Sequence, residues 1–339
     1  MAIFLDEIHG QPDTLRHFVS QYKSNFRHLI SQVPIPRDLI LTGMGASFHA
    51  AWAMSFYYQS LGLSAQAVEA VDFSRSHLPK TKDYQDIVYV SQSGSSPEVH
   101  PILSQLNTTG KLIGITNNTD SPLAKNANCF FPLLVEDEET VATKTYINTL
   151  ACLWLLGRHW VDHLVTDDFL ILDRIADEMQ TILDRESEII NCWFKTFSST
   201  PTLIFTGAGP QAATSRQAAQ TVAEWAKVPV IGISTGALRH GYVEIVGPDC
   251  GVVVFVSPGQ TYSNSLSLAH RLHGYGAKVL VVLNGRSCTM DELINNQLPY
   301  DEYLSPLLDI LPAQLYADAL AKQQGIEPGF RHLTKVVKD

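Results

Sequence analysis

Three apolar segments occur twice in this chain, in the same order and at nearly constant spacing. LILTGMGAS (39–47) returns as LIFTGAGPQ (203–211), VYVSQSG (88–94) as VVFVSPG (253–259), and KLIGITNN (111–118) as KVLVVLNG (278–285). The offsets are 164, 165 and 167 residues. A fixed order at such a spacing is the signature of a duplicated unit, so each half is predicted to be one copy of the same domain.

Each half alternates apolar runs with segments of helical character. Nearly continuous apolar strands linked by helices indicate a parallel sheet that is covered on both faces. We therefore expect an α/β fold of two tandem domains, each a flavodoxin-like three-layer sandwich. The predicted boundaries are a helical segment (1–34), a first domain (35–163), a helical linker (164–197), a second domain (198–325) and a tail (326–339).

Composition limits the possible partners. The 339 residues carry a formal net charge of −10, which repels nucleic acid and anionic membranes, so neither is expected as a partner. The N-terminus shows no signal-peptide pattern, and a cytoplasmic protein is expected. Five scattered cysteines have no paired metal spacing and are read as reduced thiols, so no metal site is predicted.

Two loops rich in glycine and serine follow predicted strands, where open parallel sheets bind their ligands. GMGAS (43–47) lacks the third glycine of a dinucleotide site, so no nucleotide cofactor is predicted. SQSGSS (91–96) is expected to open a helix with Pro97 and Glu98 in its first turn. Helix N–H groups and hydroxyls of Ser91, Ser93 and Ser96 would form a phosphate cradle of neutral donors. The alternative is simple N-capping by Ser95 or Ser96.

The second half differs from the first in its polar residues. Its copy of the serine loop reads VSPGQT, with a proline and fewer hydroxyls. Glu224 lies late on a predicted helix, and His240 follows 16 residues later in a loop. A carboxylate and an imidazole suit proton transfer on a phosphorylated small molecule. The alternative is that Glu224 is an ordinary surface residue and that His240 is structural or exposed.

Five stretches of the sequence together resemble sugar isomerase (SIS) domains: GMGAS, SQSGSSPE, EETVATKTY (138–146), LRHG (238–241) and LTKVV (333–337). The tandem arrangement resembles the isomerase half of glucosamine-fructose-6-phosphate aminotransferase. It is also similar to stand-alone phosphosugar deaminases and deglycases of the SIS type. The acidic run before Thr143, which includes Glu136 and Glu138, is predicted to be a loop that leads into a helix.

The resemblance implies roles for individual residues. Glu224 would be the base that moves a proton between C1 and C2 of the open-chain sugar. His240 would assist ring opening in the site of a neighbouring subunit, which implies a homodimer. Lys335 would meet the ketose carbonyl. The phosphorylated sugar would be held by the serine-loop and neighbouring residues Ser47, Ser91, Gln92, Ser93, Ser96, Thr140 and Val141.

The sequence departs from the aminotransferase pattern at three places. That family has lysines one and three residues before its catalytic glutamate, where this chain has Ala223 and Thr221. Where that family has the motif His-Gly-Pro, this chain has His240-Gly241-Tyr242. No cysteine near the N-terminus could act as the nucleophile of a glutaminase. We therefore expect an isomerase, deaminase or deglycase acting on C1/C2 of a hexose 6-phosphate or of an amino-sugar or ketosamine 6-phosphate, without glutaminase activity and without a cofactor. The alternative is a non-catalytic sensor of phosphosugars.

Overall fold

The computed structural model describes residues 3–30, 33, 35–36, 38–77, 85–105, 111–136, 138–161, 166–198, 200–290 and 301–332. The described chain folds into two compact units. The first unit comprises residues 10–176 and 330–332, and the second comprises residues 3–9 and 177–329. The finer domain boundaries given above remain predictions.

The first unit is built on a five-stranded parallel sheet with the strand order β2-β1-β3-β4-β5. The chain begins with α1 (Ile3–His9), which belongs to the second unit. The elements that follow are α2 (Gln11–Ile30), β1 (Asp38–Gly43), α3 (Ala46–Ser60), β2 (Ser64–Glu69), α4 (Ala70–Asp72) with a π-helical turn (Phe73–His77), β3 (Gln85–Val90), α5 (Val99–Gln105), β4 (Leu112–Thr116), α6 (Pro122–Asn126), β5 (Cys129–Pro132), α7 (Lys144–Trp160) and α8 (Thr166–Leu183), which runs on into the second unit.

The strand order of the first unit reverses between β1 and β3. Parallel sheets leave a crevice for ligands at such a switch point, beyond the carboxyl ends of the strands. The interior strand β4 is buried along its whole length, because helices cover both faces of the sheet. The predicted helix-flanked parallel sheet is confirmed, and both glycine- and serine-rich loops follow the two strands at the switch point.

The second unit repeats this plan. Its sheet has the order β10-β9-β8-β6-β7, so β7-β6-β8-β9 matches β2-β1-β3-β4 in order and direction. Its elements are α9 (Glu186–Phe197), β6 (Thr202–Gly207), α10 (Pro210–Ala226), β7 (Ile231–Ser234), α11 (Thr235–Arg239), a 3-10 turn (Tyr242–Ile245), β8 (Cys250–Val256), α12 (Tyr262–Gly274), β9 (Lys278–Leu283), β10 (Arg286–Thr289) and α13 (Ser305–Gln323).

Several elements differ from the sequence prediction. Helix α5 begins at Val99, whose N–H bonds to the Ser96 carbonyl at 3.0 Å, so Pro97 and Glu98 lie in a turn before the helix. The predicted linker helix is broken into α8 and α9. The antiparallel strand β10 and the buried helix α13 were not predicted. Within the described residues, none of the helices combines the length and apolarity that a membrane crossing requires.

Candidate functional site

The GMGAS loop joins β1 to α3 through a tight glycine turn. Gly45 adopts φ 53° and ψ −127°, which favours glycine. A Cβ at Gly43 would lie 2.8 Å from the Val90 carbonyl oxygen, so glycine is required for the close approach of the two loops. Ser47, in the first turn of α3, is half-buried beside this approach. Both loops therefore follow adjacent parallel strands at their carboxyl ends, as the sequence predicts.

Serine hydroxyls of the serine loop form hydrogen bonds within the loop and to Tyr89. The Ser91 Oγ accepts a hydrogen bond from the Gly94 N–H at 3.1 Å, and the Ser93 Oγ accepts one from the Ser95 N–H at 3.3 Å. The Ser96 Oγ pairs with the Tyr89 hydroxyl at 2.9 Å. Neither Ser95 nor Ser96 caps α5 with its side chain, because the Ser95 Oγ bonds to the Ser93 carbonyl. The simple N-capping interpretation therefore loses its support.

Backbone donors remain available in the same loop. Of the residues that the structure describes, none accepts a hydrogen bond from the N–H groups of Gln92, Ser93 or Ser96. Gln92 instead uses its carbonyl oxygen, which accepts from the Asn117 N–H at 3.0 Å. Successive N–H groups in a turn form a concave binding site for an anion without any charged side chain. The loop therefore has the chemistry expected of a phosphate cradle.

Substituting alanine at Gly94 is expected to disrupt this loop. Gly94 has φ +61°, and a Cβ there would lie 2.1 Å from the Ser121 Oγ and 2.8 Å from the Thr116 Oγ1. We expect Gly94→Ala to cost roughly 2–4 kcal/mol, as overpacking and backbone strain act together. Gly62→Ala is the control, because Gly62 has φ +83° but no atom within 4 Å of its built Cβ. Equal losses of stability in thermal unfolding would show that the contact with Ser121 has no effect.

The segment before α7 contains a buried carboxylate that the sequence prediction missed. Glu138 is 8% exposed. It accepts hydrogen bonds from the Thr143 N–H at 2.9 Å, the Thr143 hydroxyl at 3.1 Å, the Thr145 N–H at 3.1 Å and the Thr145 hydroxyl at 2.6 Å. Because Glu138 already occupies the positive end of α7, that helix start is not available to a substrate anion. The nearby Val141 is buried, and Thr140 is half-buried.

Glu224 lies in the second unit, two residues before the end of α10. Its Oε1 accepts a hydrogen bond from the Gln220 amide at 2.8 Å. Burial raises the pKa of Glu224 above its ordinary value, against the opposing effects of Gln220 and Lys227. Lys227 follows α10 in a left-handed conformation, and its ammonium donates to the carbonyls of Glu224 and Gly329. A partly buried carboxylate with a raised pKa is suited to accepting a proton.

Of the other two predicted catalytic residues, the structure describes His240 but not Lys335. His240 is exposed at the end of α11, and no hydrogen bond joins it to Glu224 within the described residues. Gly241 follows with φ 137°. The role of His240 in a neighbouring subunit remains a prediction. Lys335 lies outside the described residues.

The matching edge of the second sheet keeps the glycine turn of the GMGAS loop, but its counterpart of the serine loop lacks the donors. Gly209 has φ 57° and ψ −132°, close to the values of Gly45. In the repeat, however, Val256 and Pro258 stand in place of Ser91 and Ser93. Gly259 also has a carboxylate against it, because its built Cβ would lie 3.0 Å from the carboxyl carbon of Glu302. A phosphate there would meet negative charge, so the two edges differ in chemistry.

The position of Ser47 is also changed in the second unit, where the repeat has Gln211. The Gln211 amide donates to the buried Asp309 carboxylate at 2.5 Å, and the Gly285 N–H donates to the other oxygen at 2.6 Å. Burial raises the pKa of Asp309 well above its ordinary value. These polar groups therefore bind one another. Among the described residues, no group of three or more His, Cys, Asp or Glu side chains could hold a metal ion.

Residues 36–157, which lie within the first unit, match the family model described as the SIS domain. Over 95% of its length the chain is similar to glutamine–fructose-6-phosphate aminotransferases [isomerizing] of Nostoc sp. (24% identity) and Gloeobacter violaceus (26% identity). The chain spans 56% of the length of each of these relatives.

Solved structures show the same fold. The C-terminal domain of glucosamine-fructose-6-phosphate aminotransferase from Francisella tularensis has a TM-score of 0.82 at 18% identity, covering 99% of this chain and 98% of that one. Glucosamine-6-phosphate deaminase from Thermotoga maritima has a TM-score of 0.79 at 23% identity, covering 99% of each chain. Tagatose-6-phosphate ketose/aldose isomerase from Escherichia coli has a TM-score of 0.81 at 20% identity, covering 95% and 93%.

Proposed function

We propose that this chain is an enzyme that binds a hexose 6-phosphate or an amino-sugar 6-phosphate and acts on its C1 and C2. The observation that carries the proposal is the serine loop at the switch point of the sheet. It combines its hydroxyls with three backbone N–H groups that have no acceptor among the described residues. The SIS match over residues 36–157 supports the proposal, as do the names of relatives that isomerise or deaminate phosphosugars.

The proposed chemistry needs one base and no redox step. Glu224 takes the proton from the carbon beside the carbonyl of the open-chain sugar. The C–H electron pair forms the C1–C2 double bond, the carbonyl π pair moves to its oxygen, and that oxygen takes a proton from water to give an enediol. Returning the proton from Glu224 to the neighbouring carbon, with loss of the other hydroxyl proton to water, forms the new carbonyl and completes an isomerisation. In a deaminase or deglycase the same proton movement converts an amino sugar into an imine. Water hydrolyses the imine to a carbonyl and releases ammonia or an amine. The raised pKa of Glu224 increases its proton affinity.

We favour a deaminase or deglycase over a plain isomerase. Thr221 and Ala223 stand where the aminotransferase pattern has lysines. Thr221 is buried and Ala223 is exposed, and neither side chain can carry a charge. The proposal includes neither a cofactor nor a metal ion.

A substrate panel tests the proposal directly. Purified protein is incubated with glucosamine 6-phosphate, N-acetyl amino-sugar phosphates, fructose 6-phosphate and ketosamine 6-phosphates. Release of ammonia or amine and ketose–aldose conversion are followed, with Glu224→Gln as the control. Turnover that disappears in the control supports the enzyme and names its substrate class. If nothing turns over but phosphosugars raise the melting temperature, the chain is a phosphosugar sensor, which the absence of both lysines would suit.

Removal of two hydroxyls from the serine loop is expected to weaken phosphosugar binding. Hydrogen bonds to charged groups contribute about 1.5–3 kcal/mol each, so we expect Ser91→Ala with Ser93→Ala to lower the affinity for glucosamine 6-phosphate at least 10-fold. Isothermal titration measures the change. Ser104→Ala is the matched control, since the exposed Ser104 hydroxyl bonds, among the residues that the structure describes, to the Pro101 carbonyl in α5 alone. An unchanged affinity in the double variant would remove the loop from the binding site.

We also propose that the second unit is a second SIS domain and that the chain forms a homodimer in the cytoplasm. The repeated strand order supports the first proposal. Exposed His240, Tyr242 and Ile245 lie close together in sequence and are consistent with an interface. Light scattering after size-exclusion chromatography measures the oligomeric state. A monomer at all concentrations would contradict the shared site implied for His240.

A further inference from the structure

Asn117 connects two segments of the first unit. It is the first residue after β4, and its backbone N–H donates to the Gln92 carbonyl in the serine loop at 3.0 Å. Its side chain makes two bonds to one residue of the segment after β5. The amide Nδ2 donates to the Val135 carbonyl at 2.8 Å, and Oδ1 accepts from the Val135 N–H at 2.8 Å. One residue therefore holds both the serine loop and the chain that leads to Thr140 and Val141.

The segment that Asn117 holds contains an unfavourable backbone conformation. Leu134 has φ 55°, in the left-handed region that residues with a Cβ avoid. Its neighbours are fixed on both sides. The Leu133 N–H bonds to the Thr116 carbonyl at 3.0 Å, and the Asn148 amide donates to the Leu133 carbonyl at 2.8 Å. Such a conformation persists only where the surrounding contacts determine it, and such residues cluster at functional sites.

We infer that Asn117 is a positioning residue, which sets residues 133–136 on the way to Thr140 and Val141 relative to the serine loop. The inference rests on the proposed function, since it concerns where a sugar lies once its phosphate is bound. Both polar atoms of the Asn117 side chain are already engaged with Val135, so Asn117 acts through the backbone of that segment. Removing it leaves the hydroxyls and N–H groups of the serine loop in place.

The inference makes a prediction about the ratio of two affinities. In Asn117→Ala, the affinity for inorganic phosphate is expected to stay within about 3-fold of wild type. The affinity for glucosamine 6-phosphate is expected to fall about 10-fold or more, because the sugar-lining segment is no longer fixed. Isothermal titration with both probes gives the ratio, and hydrogen exchange at residues 133–136 should become faster. Asn126→Ala is the matched control, as its exposed amide bonds to the Pro122 carbonyl at 2.7 Å and to no other described residue.

Two further variants separate positioning from folding. Glycine adopts a positive φ without strain. In the Asn117→Ala background, Leu134→Gly should therefore restore stability without restoring the affinity ratio. Asn117→Asp keeps the bond from the Val135 N–H and loses the bond to its carbonyl. This variant replaces Asn117→Ala if that variant does not fold. Its ratio of the two affinities is expected to lie between those of wild type and Asn117→Ala. A wild-type ratio in folded Asn117→Ala or Asn117→Asp overturns the inference. If wild-type protein binds no phosphosugar at all, the proposed function fails instead.

Discussion

Glu224→Gln is expected to lower turnover by about 100-fold to 10,000-fold on whichever substrate the panel identifies, because general-base catalysis contributes a factor of that size. Glutamine has the shape of glutamate, but it cannot accept the proton from the sugar carbon. Binding of the phosphosugar should change by less than about 3-fold, since the phosphate is proposed to be held by the serine loop. Steady-state kinetics and titration measure the two effects separately.

A matched variant controls for the loss of any glutamate in the second unit. Glu178→Gln changes a half-buried carboxylate on α8, which has no part in the proposed chemistry, and it should leave turnover unchanged. Full activity in Glu224→Gln would remove Glu224 from the mechanism, whatever the substrate. A large loss of binding in that variant would instead assign Glu224 to substrate recognition.

The pH dependence of kcat/KM reports the state of the same carboxylate. Burial raises the pKa of Glu224, so it stays protonated, and inactive as a base, to a higher pH than an ordinary glutamate. Activity should therefore decline on the acidic side at a pH above 4.5. The Gln220 amide opposes this shift, so Gln220→Ala should move the acidic limb further upward. An acidic limb at or below the ordinary value would contradict the assignment.

Glu138→Ala is expected to be the most destabilising single change among the polar residues considered. It leaves two N–H groups and two hydroxyls at the start of α7 without their acceptor. Each buried donor without a partner costs about 1–3 kcal/mol, so a total of roughly 3 kcal/mol or more is expected. For a unit of this size that corresponds to a fall in melting temperature of about 6 °C or more.

Circular dichroism during thermal unfolding tests this expectation. Glu136→Ala is the control, because Glu136 belongs to the same acidic run but is exposed. Glu138→Gln keeps one carbonyl oxygen as an acceptor and should be intermediate. If Glu138→Ala and Glu136→Ala melt at the same temperature, the bonds to Thr143 and Thr145 do not stabilise α7.

The strands at the centre of both sheets were predictable because their burial is visible in the sequence. Strands covered on both faces, such as β4 and β8, are continuous apolar runs, and their turns carry glycine. Helix α13 was missed because it is buried nearly all round and so lacks a polar face that would mark its period. The Asn284-Gly285 pair was an overlooked signal for the β9–β10 hairpin, with φ 49° and 74°.

The positions of the polar side chains were less predictable than the strands. The glycines and serines of the first-unit loops identified the edge of the sheet, because tight turns and phosphate donors require those residue types. The sequence does not distinguish buried Glu138 from exposed Glu136, because the burial of each depends on where α7 begins. Leucine does not favour positive φ, so the conformation of Leu134, and with it the role of Asn117, emerges only from tertiary contacts.

Gly45 and Gly209 agree within about 5°, whereas Gly94 of the serine loop has φ 61° and its repeat Gly259 has φ 113°. The course of the backbone is set by glycine and by the packing of strand against helix, whereas affinity for an anion is set by the surrounding side chains. One loop of a duplicated unit can therefore keep its backbone while the neighbouring loop changes both its backbone and its side chains, here to Pro258 and the Glu302 carboxylate. A repeated chain of this kind can acquire new chemistry in one copy without any loss of affinity in the other.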